Sequence, residues 1–422
     1  MALRKDLGAL AGAFRAGRAR ALAGLAVAAA VGLPLALAPG AAHAAAGPIW
    51  GTLDTQPATA ATEAANGVGM AMFEFDWATF EPKQGKFSTS YMTSQLSLLH
   101  AYQAAGMKVT LELGLEDAPT WVRNLADGTF IDQKGKVASG DDLVFSAADR
   151  AAAATYLAKI ASYMPLTDFW AIRLSSGNGD GEMLYPGSGT YYAFNPSALT
   201  GTGLPAGMTP NPDPKWKPGT KGLTAAQIAA WVTWYVGGLD NVTNWEMTTL
   251  SGLGFTGYYE TVTPGDGTRP DQLVTDENTN LPNDGTTGVG AVWQTYYANL
   301  PDKANVIAYI SSVADNSGGN DLCTSTDDSQ SLTSPALDAW SATRWITRIA
   351  SQYGLLVGGE NPGYGDPASL DSFYTNTTST GMMATALAQA RSCGFAVYYW
   401  AHDVHLWDGT IPFSTYATMI AG

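Results

Sequence analysis

Two glutamates combine residue type and spacing in a way that could do chemistry. Glu182 ends the run Arg173-Leu-Ser-Ser-Gly-Asn-Gly-Asp-Gly-Glu182, and Glu360 ends Leu355-Leu-Val-Gly-Gly-Glu360, followed by Asn361-Pro362. Each stands where a short apolar run gives way to a glycine-rich loop. Glycine lets a backbone and a ligand approach closely. Two carboxyl groups flanking one bond are what glycoside hydrolysis needs. One protonates the leaving oxygen, and the other attacks the anomeric carbon or activates water. Either glutamate alone could equally be a loop acid paired with Arg or Lys. The pair becomes informative only if the fold brings both to one place.

The elements that would position them follow a repeat of strand, loop and helix. Short runs rich in Val, Ile, Leu, Phe and Tyr alternate with segments of helical period. Strands are expected at Ile49–Leu53, Gly69–Phe75, Lys108–Gly114, Trp170–Ser175, Trp245–Leu250, Val306–Ser311, Leu355–Gly359 and Phe395–Trp400. Helices are expected near 58–65, 88–105, 146–164, 224–236, 292–300, 335–353 and 381–392. Eight strands alternating with helices predict a (β/α)8 TIM barrel. A doubly wound sheet would need a glycine-rich phosphate turn after an early strand, and the sequence has none. Long loops after strands 4, 5 and 6 (about 183–222, 254–290 and 314–334) would stand on the C-terminal face, where barrel enzymes carry their sites. Strands 4 and 7 face each other across such a barrel, so Glu182 and Glu360 would meet over its mouth.

Composition narrows the ligand. The 422 residues hold 22 Lys+Arg against 37 Asp+Glu, a formal net charge of −15. No basic surface is available to displace phosphate counterions, which argues against nucleic acid. A hydrophobic fraction of 46% is too high for disorder. Residues 1–44 read as a secretory signal peptide. It has a basic start (Arg4, Lys5, Arg15, Arg18, Arg20), an apolar stretch Ala21–Ala38 and an A-x-A site at Ala42-His43-Ala44. Residues 45–422 are then a single catalytic barrel, secreted and extracellular, with no membrane segment once the leader is removed. No C-x-x-C or H-x-x-x-H occurs, so no metal or organic cofactor is implied. Cys323 would lie in the top loop after strand 6 and Cys393 at the bottom before strand 8. That separation predicts two free thiols. The sequence does not define an oligomeric state.

A resemblance sharpens this reading. Trp77-Ala-Thr-Phe-Glu81-Pro82-Lys-Gln-Gly85-Lys-Phe87 resembles the W-x-x-x-E-P-x-x-G-x-F segment of retaining barrel glycosidases, notably the thermophile-type β-galactosidase family. Gly106-Met-Lys-Val-Thr-Leu and Ala118-Pro119-Thr-Trp121 continue the likeness. The resemblance implies an acid/base at the end of strand 4 and a nucleophile at the end of strand 7, which are Glu182 and Glu360. It departs at Gly181, where the family usually has Asn. The string Gly181-Glu182-Met-Leu-Tyr185-Pro186 is instead similar to the β-amylase acid segment, and Gly359-Glu360-Asn361 to a β-amylase segment on strand 7. If the β-amylase likeness governs, the enzyme inverts, with Asp315 as the base. A non-catalytic carbohydrate-binding barrel or a metal-dependent barrel hydrolase would also be compatible with the fold. Further substrate-binding candidates are Asp76, Trp77, Glu116, Trp121, Asn178, Tyr185, Asn361, Trp400 and His402. Trp400, at the tip of strand 8, is the foremost candidate for stacking on a sugar face. Glu112 is expected as a buried, paired acid within the barrel, and Arg173 as the partner of a catalytic carboxylate.

Overall fold

The structure is a computed structural model that describes residues 47–422, apart from 188, 266, 283–284 and 301–302. The leader read at residues 1–44 lies outside the described residues. Eight parallel strands close into one barrel in sequence order. They are β1 (Ile49–Thr52), β2 (Met70–Glu74), β3 (Lys108–Glu112), β4 (Ala171–Leu174), β5 (Tyr258–Thr263), β6 (Val306–Ile310), β7 (Leu356–Glu360) and β8 (Val397–Trp400). One principal helix follows each: α1 (Ala60–Ala65), α2 (Thr89–Ala104), α3 (Ala147–Ala161), α4 (Ala225–Gly252), α5 (Trp293–Asn299), α6 (Ala342–Tyr353), α7 (Met382–Ser392) and α8 (Phe413–Ala421). The expected (β/α)8 barrel is therefore the observed fold. No helix among the described residues is long and apolar enough to cross a membrane.

Side-chain alternation along the strands separates two cores. Met70, Met72, Val262, Ile307, Tyr309, Val397 and Tyr399 fill the barrel interior. The other face of each strand packs on the helices in a larger cluster that includes Phe73, Leu111, Ile172, Tyr398 and Trp400. Gly51 makes room inside the barrel, since a Cβ there would lie 2.9 Å from Tyr399 Cδ1 and from Met70 Cβ.

The fifth strand lies elsewhere than expected. Trp245–Leu250 belongs to α4, and the strand is Tyr258–Thr263. A capping box at Thr224 and Gln227 starts α4, and buried Ile228, Trp231, Val232, Tyr235, Leu239, Val242, Met247 and Leu250 keep helical spacing throughout. The Gly237-Gly238 pair, which reads as a helix stop, lies inside the helix. A Cβ on Gly238 would fall 2.5 Å from Tyr185 Oη and 2.8 Å from Val144 Cγ1. The glycine thus serves close packing rather than termination. Similarly, the long helix expected over 335–353 is divided. A 3-10 turn (Pro335–Ala339) precedes α6, which begins afresh where Ser341 caps Arg344 N.

The expectation of free thiols is overturned. Cys323 and Cys393 form a disulfide, with Cα atoms 5.0 Å apart. The segment after β6 does not stay on the face it leaves. Ala314 N donates to Gln389 Oε1 of α7 (3.1 Å), and Cys323 N donates to Ser392 Oγ (3.3 Å). The 12 residues between Ile310 and Cys323 can span far more than the length of a five-residue strand. Asp321 and Asp327, which both pair with Arg344, fasten this segment to α6.

Candidate active site

The C-terminal ends of β4 and β7 bring Glu182 and Glu360 to one pocket, as the spacing predicts. The pocket is lined by Leu53, Asp54, Met72, Glu74, Glu112, Arg173, Asp180, Gly181, Glu182, Val262, Ser311, Glu360 and His402.

Glu360 is the last residue of β7, and its side chain is 15% exposed. Two donors converge on its Oε2: Tyr309 Oη at 2.5 Å and Arg173 Nη2 at 2.9 Å. Both come from inward-facing positions, Tyr309 on the adjacent β6 and Arg173 on β4 across the barrel. Arg173 is itself held from several sides. Its Nε donates to Glu260 Oε2 (3.1 Å), Nη1 lies 3.9 Å from Glu112 Oε2, and Nη2 also reaches Tyr309 Oη. Its guanidinium sits 4.3 Å from the Tyr309 ring centroid. Burial alone would lower the Arg173 pKa. The negative groups around it outweigh that and hold it well above the usual arginine value. Glu260 is pushed up by burial, against the opposing pull of Arg173 and of Tyr399, whose hydroxyl donates to Glu260 Oε1 (3.0 Å). The barrel's upper interior is thus a polar network that fixes one carboxylate oxygen of Glu360.

Glu182 sits on a tight loop rather than on a strand. Asn178 Nδ2 (2.6 Å) and Ser176 Oγ (3.1 Å) donate to its backbone carbonyl. Met183 N ties the loop to β5 through Val262 O (3.0 Å). Gly177 and Gly181 both have positive φ, +84° and +73°, which the turn requires. The Glu182 side chain accepts from Ser311 Oγ at 2.9 Å. Beneath the loop, a Cβ on Gly181 would lie 3.0 Å from Glu112 Oε1 and 3.2 Å from Glu116 Oε1. Glu116 is half-buried there and pushed up to about 7, chiefly by desolvation. A residue larger than glycine at position 181 would disturb this acid pair.

The structure distributes the remaining candidates differently from expectation. His402 lines the pocket, with Nε2 3.6 Å from Asp54 Oδ2. Asn178 holds the Glu182 loop. Asn361 ties β7 to β8, accepting from Ala401 N (3.1 Å) and Tyr398 Oη (2.8 Å). Asp76, Trp77, Trp121, Tyr185 and Trp400 do not line this pocket. Asp76 caps the short helix Trp77–Phe80 through Thr79 N (2.8 Å). Trp77 is buried, stacks on Tyr156, and donates Nε1 to Glu81 Oε2 (3.0 Å), while Glu81 Oε1 accepts from Gly85 N (2.7 Å). Trp121 donates to Glu81 O (3.1 Å). The W-x-x-x-E-P-x-x-G segment is here a self-bonded turn. Tyr185 is buried against Tyr235, ring centroids 4.0 Å apart. Trp400 is buried and packs on Tyr374, facing the helices. It cannot stack on a ligand in this pocket. Asp315 does not line the pocket either.

Several contributors escaped the sequence reading. Tyr309 lies mid-strand and reads as core, and Glu260 falls in the stretch expected to be the loop after strand 5. Asp54, Asp180 and Ser311 each fall just past or near a strand end, the same signal that marks Glu182. Glu74 follows Met70 and Met72 in the inward alternation.

No family model matches the chain, and no curated protein is significantly similar to it. Among solved structures, the β-amylase catalytic domain of Paenibacillus polymyxa superposes with a TM-score of 0.58 at 14% identity, over 89% of this chain and 99% of that one. A β-galactosidase from the psychrophilic Marinomonas ef1 aligns over 74% of this chain and 48% of its own, with a TM-score of 0.46 and 13% identity. At these identities the likeness is one of fold, the (β/α)8 barrel.

Proposed function

We propose that this chain is a glycoside hydrolase that cleaves an oligo- or polysaccharide by a retaining mechanism, with Glu182 as acid/base and Glu360 as nucleophile. The observation that carries the reading is the convergence of these two carboxyl groups, from opposite strands, on one barrel-top pocket. The barrel shared with a β-amylase supports the glycoside-hydrolase part of this reading and not its stereochemistry. Glu360 is oriented by a guanidinium and a phenol, as suits a carboxylate that must bond the anomeric carbon. Glu182 bears on a serine hydroxyl at the pocket wall, as suits a group that gives and takes a proton. In the first step the Glu182 proton passes to the glycosidic oxygen as its bond to the anomeric carbon breaks, and Glu360 bonds that carbon. In the second, water attacks the same carbon, its proton returns to Glu182, and Glu360 leaves. The inverting scheme loses ground because Asp315 lies outside the pocket lining. The signal-peptide pattern read at residues 1–44 is the ground for proposing export and an extracellular substrate.

The test is a screen of the exported form against chromogenic glycosides and polysaccharides, followed by Glu182→Gln and Glu360→Gln on the best substrate. Each variant should lose at least ~1,000-fold in kcat with an unchanged thermal midpoint. NMR of the first-formed product should show the substrate's anomeric configuration. Near-wild-type activity in either variant, or an inverted anomer, would reject the assignment.

A further inference from the structure

We infer that Tyr364, on the loop after β7, is the stacking platform for a sugar unit beyond the one held in the pocket, so that the enzyme favours oligo- and polysaccharides over single-unit glycosides. The inference rests on the glycosidase reading and deepens it. It starts from the apolar surface that folding leaves uncovered. Among the described residues six large apolar side chains are exposed, and three of them, Tyr364, Val404 and Trp407, stand on the segments that follow β7 and β8. Those are the same segments that carry Glu360 and His402 into the pocket. Scattered exposed apolar side chains need no explanation, but a group of them at the edge of a pocket does.

A line of rings joins Tyr364 to the pocket. His402 lines the pocket, its ring lies 6.4 Å from that of His405, and the His405 ring lies 5.3 Å from that of Tyr364. Each step is of the size of one sugar ring, so a chain with one unit between Glu182 and Glu360 can lay a further unit over Tyr364. The Tyr364 ring is also fixed in place. Tyr374 packs on it at 5.5 Å and is anchored through its own hydroxyl, which donates to Ala401 O (2.7 Å). Gly365 N donates to Asp371 Oδ1 (2.7 Å), and a Cβ on Gly363 would lie 2.8 Å from His402 Cε1, so the loop backbone is pressed against the pocket histidine. Tyr364 nevertheless remains 41% exposed. An aromatic ring held by its neighbours loses little freedom when a ligand covers it. Trp407 is engaged otherwise, with its ring stacked on Phe413 (4.7 Å) and its Nε1 donating to Asp403 and Glu63. A sugar lays its apolar face on such a ring and turns its hydroxyls outward. The His405–Asp408 pair (3.1 Å) stands beside the Tyr364 ring and offers those hydroxyls polar partners.

Calorimetry tests this on Glu182→Gln protein, in which turnover is blocked. The probes are cello-, manno-, xylo-, malto- and chito-oligosaccharides of one to four units. In at least one series the tetramer should bind about ten-fold or more tightly than the monomer. Tyr364→Ala should reduce that ratio to about two-fold or less, and so should Tyr364→Leu, which keeps an apolar side chain but removes the flat ring. Tyr364→Phe should preserve the ratio, because stacking needs the ring and not the hydroxyl. Circular dichroism reports the fold of each variant. Four results overturn the inference: no binding in any series, no gain with chain length, a loss in Tyr364→Leu that is equal for monomer and tetramer, or a wild-type dimer in sedimentation that Tyr364→Leu dissociates, which would give the ring to a second copy of the chain. Binding is read without turnover, so the two proposals can fail separately. A wild-type enzyme that cleaves a glycoside while Tyr364→Leu leaves every chain-length ratio intact keeps the glycosidase reading and loses this one. A ring-dependent gain with chain length, in a protein whose turnover survives Glu182→Gln and Glu360→Gln, does the reverse.

Discussion

Replacing Arg173 by methionine should have a cost that depends on pH. The guanidinium bonds Glu260 and Glu360 at 3.1 and 2.9 Å and lies near Glu112. Glu260 is fully buried, so without Arg173 it has no compensating cation. Removing one partner of a buried ion pair costs about 3–5 kcal/mol. A barrel of this length gains roughly 0.8 kcal/mol per kelvin of unfolding entropy at its midpoint, so the midpoint should fall by about 4–6 °C at pH 8. The loss comes from ionised carboxylates. It should therefore shrink as pH falls to 5 and the orphaned acids, led by the already raised Glu260, take up protons. Glu360 would also lose one of its two donors, and kcat should fall by about 100-fold through misplacement of that carboxylate. Scanning calorimetry at pH 5 and 8, beside a pH–rate profile, reads both effects. A destabilisation equal at the two pH values would mean that lost packing, not charge, governs Arg173, and would refute the electrostatic account.

Three further outcomes are expected. Reducing the Cys323–Cys393 bond, or replacing both cysteines by serine, opens a loop with a sequence separation of 70 and should cost about 4.4 kcal/mol by chain entropy, or 5–6 °C, measured by calorimetry with and without reductant. Gly181→Ala forces a non-glycine residue into φ +73° against the Glu112 and Glu116 carboxyls. It should cost about 1–2 kcal/mol and lower kcat more than ten-fold, because it displaces the adjacent Glu182. The thermal midpoint should be highest near pH 4–5 and decline towards pH 8. Burial raises Asp149 and Glu116 to about 7 and Asp403 to about 8, so the native state holds more protons than the unfolded chain between pH 4 and 8. A midpoint that rises over that range would contradict these assignments.

Height in the barrel was legible from the sequence, but direction was read less well. The ends of apolar runs locate strand tips, and that sufficed to bring Glu182 and Glu360 together. Which way a tip residue points depends on the two-residue alternation. Val397 and Tyr399 face inward on β8, so Trp400 must face the helices, where it meets Tyr374. The same counting places Glu74 inward, beyond Met70 and Met72. Applied to every strand, it would have removed Trp400 from the ligand candidates. The fifth strand was hidden for another reason. Gly237-Gly238 carries a stop signal in the sequence, and only the proximity of Tyr185 shows that a small residue was needed mid-helix. The disulfide could not be read at all from strand order, because a loop's reach depends on its path and not on the face it leaves.

The bond between Cys323 and Cys393 makes a covalent ring of the chain between them, and that ring contains α6, β7 and the nucleophile Glu360. A single protease cut within the ring, for example in the exposed Thr377–Thr380 turn, would leave two ends still joined through sulfur. The severed piece could not diffuse away from the barrel, and β7 would remain beside β6 and β8 at high local concentration. In surroundings where proteases act on it, one nick inside this ring would then be survivable, whereas β4, which carries Arg173, and the loop that carries Glu182 have no such tether.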